Sequence, residues 1–123
     1  MTIYGIERNF KLTVGAYREI ARLLPDGNIE GLGSLLSGDD PIRMMQMIFN
    51  LAVIMSKWAE LQRSFEDKDF VKPRPLSVEE LETLPMDVVL GSLKDEIIRS
   101  FINSQETEIP LKKTEMTEST GEG

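Results

Sequence analysis

From Met44 to Ser56 the chain runs thirteen residues without a charge, and this stretch carries four of its seven methionines. Asp39-Asp40-Pro41 stand before it and Lys57-Trp58 after it, which predicts the middle of one long helix. On a helical wheel the apolar residues do not form a single stripe. Ile42, Met45, Phe49, Ala52 and Leu61 take one side, while Met44, Met47, Leu51, Ile54, Met55 and Trp58 spread over the rest. A helix apolar nearly all round must be covered nearly all round. In so short a chain the expectation is one face for the core and another for a partner. Methionine, unbranched and polarizable, suits surfaces that repack against different apolar shapes. The candidate partner-binding residues are therefore Met44, Met47, Leu51, Met55 and Trp58.

At 123 residues the chain is long enough for one modest core and too short for two. Its net charge of −7 disfavours nucleic-acid phosphate or an anionic membrane as a partner. With no histidine and no cysteine, it lacks nucleophile–imidazole pairs, thiol chemistry, imidazole or thiolate zinc sites and disulfides. No basic stretch followed by an apolar segment opens the sequence, which argues against secretion. The uncharged run is shorter than the roughly 20 residues of a membrane-spanning helix. The expectation is a soluble intracellular protein without cofactor or metal, and not an enzyme.

The fold class expected is mainly α: four to five helices with an N-terminal β-hairpin or strand over 1–104, then a disordered acidic tail over 105–123. Tyr4, Ile6, Phe10, Leu12 and Val14 alternate as in a strand, with Arg8 the exception and Arg8-Asn9 placed for a tight turn. A lone hairpin is marginal in water, so it must pack on the helices or pair with a second copy. Ala16–Leu24 reads as a helix with Ile20, Leu23 and Leu24 inward, and Pro25-Asp26-Gly27-Asn28 as a turn. Ile29, Leu32, Leu35 and Leu36 recur at helical spacing before Gly38. Asp39 or Asp40 as cap, with Pro41 at the first helical position, starts the long helix, expected to run to about Phe65.

Lys72-Pro73-Arg74-Pro75 predicts a stiff extended connector. Ser77-Val78-Glu79-Glu80 fits a capping box with Glu80 reaching back, and Pro85 breaks or restarts the helix. A last helix, about Met86 to Asn103, is expected to bury Val89, Leu90, Leu93, Ile97, Ile98, Phe101 and Ile102. The tail's five glutamates, four threonines and three large apolar residues cannot bury enough surface to offset the entropy of ordering.

Other chemistry is weakly encoded. Asp26-Gly27-Asn28-Ile29-Glu30-Gly31 imitates the start of a calcium loop, but Ser37 and Gly33 stand where a glutamate and a hydrophobe are needed. Gly31, Gly33 and Gly38 match no dinucleotide or phosphate-loop spacing. Asp39-Asp40, Glu79-Glu80 and Asp95-Glu96 are paired carboxylates, yet helical neighbours diverge by about 100° and the first two pairs sit at helix starts.

Two segments carry a resemblance. Tyr4-Gly5-Ile6-Glu7-Arg8-Asn9-Phe10-Lys11-Leu12-Thr13-Val14-Gly15 and Pro73-Arg74-Pro75-Leu76-Ser77-Val78-Glu79-Glu80-Leu81 resemble small proteins encoded near the tail-tube gene of siphophages and prophages of Gram-positive bacteria. These are similar to phage tail assembly chaperones, and the resemblance covers residues 3–103. It implies a helical, non-virion protein in the cytoplasm of the bacterial host. The implied client is the tape-measure protein, whose long apolar stripes would otherwise aggregate. The tail would contact tail-tube protein or continue into a longer frameshifted product, and a homo-oligomer is compatible with the pattern. The resemblance brings no catalytic residue. Two other classes stand beside it: a structural virion component such as a tail-completion or head–tail joining protein, and an acidic adaptor unrelated to phage.

Overall fold

A computed structural model of the chain describes residues 1–24, 27 and 29–106; the expected tail beyond Glu106 lies outside the described residues. Among the described residues the protein is mainly helical, with five α-helices and a short N-terminal hairpin. Strands β1 (Thr2–Ile3) and β2 (Ile6–Glu7) pair antiparallel, Thr2 opposite Glu7 and Ile3 opposite Ile6. The turn is Tyr4-Gly5, with φ of 49° and 80°, not Arg8-Asn9. Two consecutive left-handed residues twist a two-residue loop to match its strands, and glycine takes the second position without strain.

That shift of the turn re-sorts the alternation. Ile3 and Phe10 are buried, whereas Tyr4 sits exposed at the hairpin tip and Val14 is exposed on the first helix. Tyr4 Oη shares a 2.6 Å hydrogen bond with Thr83 Oγ1, tying the tip to a residue 79 positions on. Beyond the hairpin the backbone runs extended along the central helix, where Lys11 N donates to Met55 O at 3.3 Å.

Helix α1 (Val14–Leu23) begins at Thr13, whose Oγ1 accepts from Ala16 N at 3.1 Å. It buries Ala16 and Ile20, and Leu24 just after it, while Leu23 turns outward, contrary to the expected pattern. A single tight turn, Ile29–Gly31, leads into α2 (Leu32–Leu36). Helix α3 (Pro41–Glu66) starts as the sequence reads: Asp40 Oδ1 accepts from Ile42 N and Arg43 N at 3.2 and 3.3 Å, with Pro41 next.

After α3 the connector through Pro73 and Pro75 is extended and buries Leu76. Ser77 caps α4 (Val78–Leu81) by accepting from Glu80 N at 3.1 Å. The Glu80 carboxylate does not complete a capping box; it pairs with Arg74 of the connector. Pro85 restarts the chain as a helix whose segment Val88–Leu93 is π-helical before α5 (Lys94–Glu106). Residues four apart lie on one side of α-helical and π-helical turns alike. Val89, Leu93 and Ile97 accordingly form one buried row against α3.

Helix α3 is the axis of the molecule. Helices α1 and α2 pack on it from one part of the chain, and α4, the π-helical segment and α5 from another. Met44, Ile48, Leu51 and Met55 recur at spacings of four, three and four along it, and Phe49, Ala52, Ser56 and Ala59 fill the adjoining rows. Burial nearly all round α3 is therefore met by its own chain.

Candidate partner-binding surface

The five residues singled out on α3 do not make one exposed face. Leu51 and Met55 are entirely buried and Met44 is 9% exposed, so these three belong to the core. Met47 is half-buried and packs against that core. Trp58 is half-buried too, and its partners lie in α1. Its six-membered ring fills the space above Gly15, and Nε1 donates to Glu19 Oε2 at 2.7 Å. Lys57 Nζ donates to the same oxygen at 2.6 Å. These contacts hold Glu19 below the usual carboxylate range, the Lys57 hydrogen bond most and that of Trp58 less, against an opposing effect of burial. Trp58 thus fastens α1 to α3. The inference of a spare apolar face fails because α1, α2 and the C-terminal helices wrap both sides of a helix that the sequence leaves unpartnered.

Arg8, the exception in the strand pattern, is wholly buried. Its Nη1 donates to Glu60 Oε2 at 2.7 Å, with that carboxylate 13% exposed. Nε and Nη2 of Arg8 have no hydrogen-bond partner among the described residues. A buried ion pair is weak as a source of net stability, but removing one partner leaves the other charge uncompensated.

An open apolar groove lies elsewhere, between α2 and α5. It measures about 360 Å³ and has Leu32 and Leu36 as its buried floor, with Ile29, Ile98, Phe101 and Ile102 along its walls. Ile98 and Phe101 are half-buried and packed against the core as well as lining this groove, whereas Ile102 is 47% exposed, contrary to the expected burial. Among the described residues Lys94 is the one charged side chain in the lining. Sequence reading missed the site because it treats α5 as one amphipathic stripe. Val89, Leu93 and Ile97 enter the core as that stripe predicts, but how far Ile98, Phe101 and Ile102 are covered depends on where α2 packs, which periodicity does not announce. A second groove, about 330 Å³, runs between α3 and the proline connector, with Val53, Leu61, Pro73 and Leu76 under Lys57 and Lys72.

The remaining candidates are dispersed. Asp26 and Asn28 of the calcium-like segment lie outside the described residues. Asp40 and Glu80 are engaged at a cap and in an ion pair, and Glu96 pairs with Arg99. Among the described residues no group of three acidic side chains is placed to hold a metal ion, and no helix is long and apolar enough to cross a membrane. No family model matches the chain, and no curated protein or solved structure is similar to it at a meaningful level.

Proposed function

We propose that this protein is a phage tail assembly chaperone that binds and solubilises the tape-measure protein in the cytoplasm of a bacterial host. The observation that carries the reading is the open groove between α2 and α5. Its aliphatic and aromatic walls, Ile98, Phe101 and Ile102, suit the apolar stripe of an amphipathic helix. Helix-in-groove docking reads anchors at three- and four-residue spacing, the repeat that a long helical client presents many times over. The hairpin and connector motifs that resemble this family support the same reading. Neither faces the groove: the first builds the Tyr4-Gly5 turn and buries Arg8, and the second builds the connector and the Ser77 cap. A net charge of −7 would keep a many-copy coated client soluble through mutual repulsion.

The test is co-expression with a siphophage tape-measure protein, followed by affinity purification and a solubility assay. The expected result is a soluble complex, many copies to one client, that survives moderate salt because apolar docking is not screened. A client that stays insoluble and does not co-purify overturns the reading. Recovery of this protein in purified particles would favour a virion component instead.

A further inference from the structure

The last turn of α3 outruns the elements that wrap it. Phe65 on that turn and Val71 just past the helix are each 84% exposed, more than any other large hydrophobic residue among the described ones. Val53, Lys57, Leu61 and Phe65 follow one another at four-residue spacing, so they share one side of α3. The first three line the groove of about 330 Å³ against the proline connector. Phe65 stands one turn beyond, about 6 Å along the axis from Leu61. A helix cannot fold back on its own side, so this ring cannot enter the groove of its own chain. The charges are sorted in the same way. Lys57 and Lys72 stand over the groove, and Glu60, its one carboxylate among the described residues, is matched by Arg8. Lys57 already pairs with Glu19, whereas Lys72 has no ion pair among the described residues. Beside Phe65, the exposed stretch Glu66-Asp67-Lys68-Asp69 sets three acids against one lysine.

We propose that a second copy of the chain occupies this groove: each protomer seats Phe65 in the other's α3–connector groove and sets Glu66 and Asp69 against Lys72 and Lys57. The spacing suits a two-fold axis. With antiparallel α3 helices crossing at Leu61, Phe65 of one copy comes level with Lys57 of the other, since both lie four residues from Leu61, and the same contact recurs on the far side. Two seated rings remove about 300–500 Å² from water. That is well below a standard interface, so the dimer is weak and forms and dissociates with concentration. Its acidic-to-basic pairing fixes the antiparallel arrangement, because a parallel one would set the acids of both copies side by side. The groove between α2 and α5 is left open in such a dimer, and the inference does not depend on the chaperone reading.

Sedimentation velocity on the full chain, from micromolar to millimolar concentration, tests it. The expected result is a monomer–dimer equilibrium that F65S weakens at least tenfold. The melting temperature of F65S should stay within a few degrees of wild type, because the ring is exposed in the single chain. A protein that stays monomeric throughout, or a dimer that F65S leaves unchanged, overturns the proposal. A charge exchange reads the same contact without touching Phe65. K72E and E66K/D69K should each dimerise at least tenfold more weakly than wild type, one setting acid on acid and the other base on base. Mixed in equal amounts they should recover dimer, since both halves of the mixed pair then face acid with base. A mixture no more dimeric than its components overturns the proposal even if F65S fails to fold. No measurement involves the tape-measure protein, so failure of client binding and failure of self-association remain separable.

Discussion

The distal edge of the Trp58 ring occupies the space where Gly15 would carry a side chain: a β-carbon there would lie 2.4 Å from Cη2 and 2.5 Å from Cζ2 and Cζ3. Helix α1 can approach α3 this closely because residue 15 has no β-carbon. Gly15→Ala should therefore cost about 1–3 kcal/mol, the usual penalty of overpacking. In a W58F background the same substitution should cost distinctly less. Urea unfolding of the four proteins measures both, and equal penalties in the two backgrounds would refute the steric account.

Glu19 beneath that ring gives a pH dependence of defined sign. Its carboxyl is held below the ordinary value of 4.5, first by the hydrogen bond from Lys57. A group more acidic when folded contributes stability fully above its unfolded pKa and loses it as the pH falls through the folded one. Stability should thus fall on acidification below about pH 4.5, and less steeply in Glu19→Gln. Identical acid profiles for the two proteins would remove Glu19 from the explanation.

Arg8 and Glu60 are expected to behave asymmetrically. Arg8→Ala strands a largely buried carboxylate and should destabilise by about 3–5 kcal/mol. The double variant R8M/E60L removes both charges and Arg8's two unpartnered nitrogens, and should recover most of that loss. Denaturant midpoints decide it; a double variant as weak as the single one would mean that the ion pair itself stabilises the fold.

On α3, burial separates residues that a helical wheel treats alike. Leu51→Ala should cost about 2–5 kcal/mol, since Leu51 is fully buried. Met47→Ala should cost clearly less because Met47 keeps partial exposure. Circular dichroism melts distinguish the two, and a reversed order would restore the α3 face as a partner surface.

At the groove, Ile102→Asp changes a residue that is 47% exposed and should leave the melting temperature within a few degrees of wild type. Client solubilisation should drop at least tenfold in the co-expression assay. A folded I102D protein that solubilises as well as wild type would move the client site off α5.

Much of the local structure follows from short-range rules and was legible in the residues. Asp40 and Pro41 start α3, Ser77 caps α4, and Pro73 and Pro75 force an extended connector, because each acts on backbone within a turn of itself. The hairpin was legible as alternation, but its turn was not. Tyr4-Gly5 needs a non-glycine residue at φ 49°, which residue type alone does not advertise as Arg8-Asn9 did.

What the sequence by itself determined is a helical chain built round one uncharged segment that has to be covered on almost every side. Only the tertiary structure decided what covers it. Met44, Leu51 and Met55 are satisfied by α1, α2, the π-helical segment and α5, contacts between residues far apart in the chain that no local pattern encodes. The same packing decided which apolar residues were left over. Once Val89, Leu93 and Ile97 take the core side of the last helix, Ile98, Phe101 and Ile102 are left lining an apolar groove beside α2.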